Sequence, residues 1–244
     1  MSQDIDLSGR LAVVTGASRG IGAAIALGLA RAGAHLVLVA RTQGALEDLD
    51  DAIQGEGLAP ATLVPLDLAD GAGIDRLGAA VAERWGKLDI LIGNAGILGE
   101  LTPVSHISVK EWEALLAINL TANWRLIRTF DPLLRASEAG RALFISSGAA
   151  HKAKPYWGGY AVTKIALEKL VETYAAEVAN VSAVKANLLD PGPMRTRMRA
   201  AAMPGEDPLT LPPPEALVPL VLKLCARTLD KTGALFRFAD WRQE

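Results

Sequence analysis

The sequence predicts an α/β fold, a doubly wound parallel sheet with helices on both faces. Three observations carry this. Apolar runs of strand length alternate with longer helical patterns along most of the chain, and strand–helix alternation with right-handed crossovers builds such a sheet. The first apolar run ends in a glycine-rich turn that opens a helix. The length of 244 residues suits one domain of this class better than two.

Taken in order, strands are expected at residues 11–15, 35–40, 62–66, 88–92, 142–146 and 184–189, with helices near 20–32, 43–55, 70–85, 108–130 and 159–180. Ser108-Val109-Lys110-Glu111 fits a capping box, the serine accepting an amide N–H and the glutamate reaching back. Asp131-Pro132 is expected to interrupt the helical run at that point. Pro212-Pro213-Pro214 leads into a new apolar stretch at 217–226. Residues 194–214, rich in Arg, Pro and small side chains, are the expected mobile lid over a site. No repeat or linker divides the chain, so 1–244 reads as a single domain.

Half the residues are hydrophobic, enough for a sizeable core, and the net charge of −2 suggests neither a nucleic-acid nor a membrane partner. Cys225 is the only cysteine, which points to a reducing compartment and a core position. Residues 1–6 lack the basic and apolar regions of a signal peptide, and no apolar run approaches the ~20 residues of a membrane span. A cytoplasmic protein is expected. The three histidines, 35, 106 and 151, show no metal-ligand spacing.

Thr15-Gly16-Ala17-Ser18-Arg19-Gly20-Ile21-Gly22 joins the first strand to the first helix. Glycines there let backbone N–H groups approach a pyrophosphate at the positive end of a helix. A carboxylate about 20 residues further on would take the ribose 2′-hydroxyl of NAD. Ala40 and Arg41 stand there instead. Arg41 and Arg19 are suited to a 2′-phosphate, so NADP(H) is expected over NAD(H).

Tyr160 and Lys164 lie four apart on an expected helix and share a face. The other tyrosines lack this spacing: Tyr156 meets Tyr160, and Tyr174 meets Val178. A neighbouring ammonium is expected to hold the phenol below its ordinary value of about 10 and make it a proton donor to a forming alkoxide. Ser147, at a strand end, is placed to polarise a carbonyl, with Ser146 as the competing candidate. Asn119 is a lone amide in an apolar helical pattern and needs a partner.

These motifs in register resemble the short-chain dehydrogenase/reductase family from Leu7 to about Leu224. The resemblance implies a Rossmann-type sheet of order 3-2-1-4-5-6-7 and an NAD(P)-dependent oxidoreductase acting on a carbonyl or alcohol. It implies a cofactor turn at Gly16, Ser18, Arg19, Gly20, Ile21 and Gly22. Asp67 and Leu68 then lie by the adenine, and Asn94-Ala95-Gly96 borders the cofactor. Pro191, Gly192, Met194 and Thr196 fall by the nicotinamide. Tyr160 becomes acid/base, Ser147 polarises the carbonyl, Lys164 binds the nicotinamide ribose, and Asn119 holds a relay water. Arg41 is similar to that of NADP-using members, and residues 195–214 look like a bacterial subgroup without a firmly assigned substrate.

The departures are Gly93 in place of a first asparagine, Asp190 before Pro191-Gly192, and an ending at 233–238 without the usual glycines. The last puts tetramer contacts in doubt and leaves a dimer through residues 108–130 and 159–180. Leu98, His151, Trp157 and Met194 are candidate pocket residues. Arg195, Arg197 and Arg199 form a basic cluster on the lid, either an anion site or a solvated face. Two alternatives stay open: a non-catalytic NADP-binding sensor or scaffold, and an NAD-preferring alcohol dehydrogenase.

Overall fold

Strands covered on both faces read as continuous apolar runs, and the described residues form seven strands, the five inner ones of this kind. They are β1 (Leu11–Thr15), β2 (His35–Ala40), β3 (Thr62–Pro65), β4 (Ile90–Gly93), β5 (Arg141–Ile145), β6 (Lys185–Asp190) and β7 (Leu235–Arg237). In the computed structural model, which describes residues 5–241, they form one sheet of order β3-β2-β1-β4-β5-β6-β7. Every neighbouring pair is parallel. The nine helices among the described residues are α1 (Gly20–Arg31), α2 (Gln43–Gly55), α3 (Gly71–Trp85), α4 (Val109–Leu116), α5 (Ala122–Arg135), α6 (Gly158–Val178), α7 (Arg197–Ala202), α8 (Val218–Cys225) and α9 (Phe238–Trp241).

Two apolar layers enclose the sheet. Ile25 and Leu29 of α1, Leu46 of α2 and Leu220 of α8 pack on one face. Ile74 of α3, Phe130 of α5 and Leu167 and Val171 of α6 pack on the other. The strand order reverses between β1 and β4, the place where open α/β sheets hold ligands beyond their carboxyl ends. Cys225 is buried in the first layer, and burial pushes its thiol up to about 12, so it is a packing residue.

Several boundaries differ from the sequence pattern. β4 begins two residues later than expected because the Leu88 N–H goes to the Leu133 carbonyl of α5, 3.0 Å away. β5 takes in Arg141, whose buried guanidinium donates to the Ala226 and Arg227 carbonyls at 3.0 and 2.7 Å. Arg10 does the same at the start of β1, donating to Cys225, Ala139 and Asp89 carbonyls. Asp131-Pro132 does not stop its helix, since α5 continues to Arg135 with Pro132 inside it. Pro132 sits in the last turn, where its missing N–H removes one bond, and Leu133 and Leu134 beyond it are buried. The capping box is half formed. Ser108 accepts from Glu111 N at 3.2 Å, but Glu111 Oε1 accepts from Glu100 N at 2.9 Å.

Gly93 has a packing reason. A Cβ there would lie 2.2 Å from Phe144 Cδ1 and 2.8 Å from Asn123 Oδ1. Phe144 is fully buried, so the asparagine usual in the family has no room. Gly93→Asn should destabilise the protein by roughly 2–4 kcal/mol through overpacking and a displaced amide. Pairing it with Phe144→Leu should recover part of that loss in urea unfolding. Equal stability of Gly93→Asn and the parent would contradict this account.

Candidate active site

The switch point is fastened by one hydroxyl and one amide. Thr15 Oγ1 donates to the Ile92 carbonyl at 3.0 Å and accepts from Asn94 N and Ala95 N at 3.0 and 3.2 Å. Asn94 Nδ2 donates back to the Thr15 and Gly16 carbonyls at 2.9 and 3.1 Å. The glycine turn is thereby pinned to the end of β4. A Cβ on Gly22 would lie 2.2 Å from the Gly16 carbonyl oxygen and 2.5 Å from Asn94 Nδ2, and Gly16 and Gly20 have φ of +64° and +57°. The first turn of α1 has no acidic residue, and Arg19 at its N-cap makes no side-chain cap. Open N–H groups at a helix start suit a phosphate, so the residues present fit a dinucleotide. Ala17 N reaches the Val39 carbonyl at 3.2 Å, which brings Arg19 toward the end of β2 and Arg41. Both arginines are exposed, and neither side chain has an ion pair among the described residues.

Beside this turn lie Asn119, Ser147, Tyr160 and Lys164. Asn119 occupies a π-helical segment, Ala117–Thr121, between α4 and α5, a distortion frequent at functional sites. Its Oδ1 accepts from Ile97 N at 2.8 Å, and its Nδ2 donates to the Ile97 carbonyl and Thr163 Oγ1 at 2.9 and 3.0 Å. Thr163 Oγ1 donates to the Tyr160 carbonyl at 2.8 Å, so Asn119 ties the β4 exit loop to α6. Asn123, which sequence reasoning did not single out, donates to the Asn119 carbonyl at 2.8 Å. A conspicuous polar residue four places along an apolar helix face was the available signal.

Ser146 and Ser147 separate cleanly. The Ser146 hydroxyl is spent on buried Glu168. Ser147 caps a 3-10 turn, Gly148–His151, accepting from Ala149 N at 3.2 Å. The Tyr160 phenol is buried, and that burial pushes it up to about 12, a hydrogen bond with Ser147 opposing the rise and the Asp190 carboxylate adding to it. The direction is opposite to the one expected from Tyr160–Lys164 spacing. Lys164 Nζ sits 5.6 Å from the Tyr160 ring centroid but donates to the Ile145 carbonyl at 2.8 Å. Burial brings Lys164 down to about 8, partly offset by Glu168.

The remaining expected residues divide. Gly96 lies next to the cluster, a Cβ there falling 3.3 Å from Asn119 Oδ1 and 3.7 Å from Lys164 Nζ. Gly192, at φ +65°, donates its N–H to Asp190 at 2.9 Å. Thr196 reaches the turn, its Cγ2 3.5 Å from where a Cβ on Gly20 would stand. Asp67 is exposed and accepts from Ala69 N at 3.0 Å. The Met194 side chain, a candidate pocket residue by sequence, is buried in the apolar layer that includes α1 and α8. His151 pairs with Glu168 at 2.8 Å. The Trp157 ring stands edge-on to Tyr160 at 6.1 Å. In the basic cluster the arginines at 195 and 199 are engaged: Arg195 donates to the Pro208 and Leu211 carbonyls, and Arg199 grips Glu206 with two bonds of 2.6 Å. Only Arg197 of the three makes no side-chain bond among the described residues.

Residues 10–207 match the family model for short chain dehydrogenase. The chain belongs to the short chain dehydrogenase family. It is 35% identical over 238 residues to the oxidoreductase YciK of Escherichia coli, covering 96% of this chain and 93% of that protein. A short chain dehydrogenase of Salmonella enterica matches with a TM-score of 0.93 at 34% identity, over 97% of this chain and 98% of that one. An Escherichia coli short chain dehydrogenase complexed with NADPH matches with a TM-score of 0.91 at 34% identity, over 96% and 98%. The Rossmann-type sheet expected from the motifs is therefore the fold, and the protein is an oxidoreductase of this family. No helix among the described residues is long and apolar enough to cross a membrane, and none of their His, Cys, Asp and Glu groups is placed to hold a metal ion.

Burial brings the lysine, rather than the tyrosine, toward the neutral range. Because Lys164 falls from 10.5 to about 8 on folding, the folded state holds fewer protons than the unfolded chain between those values. Below the window the buried charge carries its full cost, roughly 3 kcal/mol. Stability then rises as pH climbs through it. Lys164→Met should raise Tm at pH 7, and its advantage should shrink from pH 8 toward 10.5. A variant less stable than the parent at every pH would show that the bond to Ile145 outweighs the buried charge.

Proposed function

We propose that the protein is an NADP(H)-dependent carbonyl reductase or alcohol dehydrogenase, with Tyr160 as its acid/base. The observation that carries this reading is the convergence of Ser147, Tyr160 and Lys164 beside the glycine turn at the switch point. Nicotinamide bound there supplies or accepts a hydride at the substrate carbon. The chain's own residues handle the oxygen. Tyr160, a phenol that is protonated at neutral pH and that burial raises further, donates its proton to the oxygen as charge develops on it. Ser147 donates a hydrogen bond to the same oxygen. Lys164 supplies a buried ammonium beside the phenol and a donor for a ribose. Asn119, its amide engaged on Ile97 and Thr163, acts by holding these elements in place.

Cofactor choice is read from β2. No carboxylate follows Ala40, and Arg41 and Arg19 are exposed without ion partners among the described residues, which favours a 2′-phosphate. The NADPH complex of a related dehydrogenase agrees, while an oxidoreductase of Mycobacterium tuberculosis named as NAD-dependent is 36% identical over 79% of the chain. A homodimer through α5 and α6 belongs to this proposal, because Trp124, Val162 and Ile165 stand exposed there.

Tyr160→Phe should lower kcat at least ~100-fold with carbonyl probes and leave NADPH binding within about 3-fold; parental turnover would defeat the mechanism. Arg41→Ala should weaken NADPH by about 10- to 100-fold, the range for a charge-assisted bond, and leave NADH unchanged. Equal affinity of the parent for both nucleotides would defeat the cofactor assignment. Reduction should slow above about pH 8 as Lys164 loses its proton, measurable as a single descending limb in kcat.

A further inference from the structure

The turn that carries Ser147 is held at both ends by one carboxylate. Glu168 is 2% exposed. Its Oε1 accepts from the Ser146 hydroxyl, and its Oε2 lies 2.8 Å from His151 Nε2. Ser146 precedes Ser147, and His151 closes the 3-10 turn that Ser147 caps. The short segment between these contacts is therefore bridged by a single side chain. That side chain sits on α6 one turn beyond Lys164 and two turns beyond Tyr160, on the same helix face. Glu168 thus joins the support of Ser147 directly to the helix that carries the other two groups. It is also the anion that opposes the effect of burial on Lys164.

Burying a carboxylate is costly unless its oxygens are paired, and both oxygens here are engaged on the same turn. A displacement of about 1 Å between reacting groups can cost ~100-fold in rate, so a rigid link between Ser147 and Tyr160 has direct chemical value. We propose that Glu168 is a positioning residue, fixing the Ser147 hydroxyl against Tyr160 through Ser146 and His151. This rests on Tyr160 being the proton donor.

The test uses the full chain with NADPH and 9,10-phenanthrenequinone as the probe carbonyl. Glu168→Gln keeps the shape but removes the charge and one acceptor. Its kcat should fall about 10- to 100-fold, with KM for NADPH within about 3-fold, and its descending pH limb should move to lower pH. His151→Gln, which keeps a donor, should retain most of kcat. His151→Leu should lose about 10-fold, and the double variant with Glu168→Gln should be no worse than Glu168→Gln alone. Amide exchange over residues 146–151 should rise in Glu168→Gln while α1 and α2 stay protected, a readout that needs no turnover.

Parental exchange, kcat and pH limb in Glu168→Gln would overturn the inference. So would losses that follow Tm alike in His151→Gln and His151→Leu. If Tyr160→Phe kept its activity, the reading of the site would fall first; if it did not and Glu168→Gln matched the parent, only the positioning role would fall.

Discussion

The Thr15–Asn94 clasp is the constraint on which the site depends. Parallel strands β1 and β4 lead into connections that run to opposite sides at the switch point, which leaves a crevice beyond their carboxyl ends. Thr15 Oγ1 meets two amides and one carbonyl of the β4 end, and Asn94 answers with two bonds to the β1 end. The tight approach this forces leaves no space for a side chain at Gly16 or Gly22. Glycine at these positions is therefore a packing requirement between two strand ends as much as a way of admitting a ligand.

A second constraint is electrostatic. The site buries a phenol, an ammonium and a carboxylate within two turns of one helix. Burial shifts Tyr160 up and Lys164 down, moving the proton donor and its cationic neighbour apart in acidity. The main-chain carbonyl of Ile145 takes one ammonium hydrogen, so the lysine is oriented by the end of β5. Strand end, turn and helix are thus bound into one unit, with Glu168 at its base.

Much of this was legible in the chain. The glycine turn could be read because it follows an apolar strand and opens a helix, and Tyr160 with Lys164 because helical spacing fixes a shared face. Spacing does not report burial or the direction of Nζ, so the shift of Tyr160 was read with the wrong sign. Arg141 looked like a strand boundary because a guanidinium usually seeks water; here distant carbonyls satisfy it. Met194 neighbours the expected cofactor residues in sequence, but the chain turns inward there and places it in the core. Glu168 resembled any exposed helix charge, and only the fold brings Ser146 and His151 to it. The π segment at Asn119 and the packing of Phe144 against Gly93 are likewise tertiary facts with no local signature.

The buried guanidinium of Arg10 has a consequence for biogenesis. It stands at the entry to the first strand, yet one of its acceptors, the Cys225 carbonyl, lies 215 positions further along. Until that segment has been made, the cation has only the Asp89 and Ala139 carbonyls as acceptors, and non-local closure of this kind is slow. The amino ends of the strands therefore gain this acceptor only once the segment at α8 is present, whereas the Thr15–Asn94 clasp at the carboxyl ends needs no residue beyond Ala95.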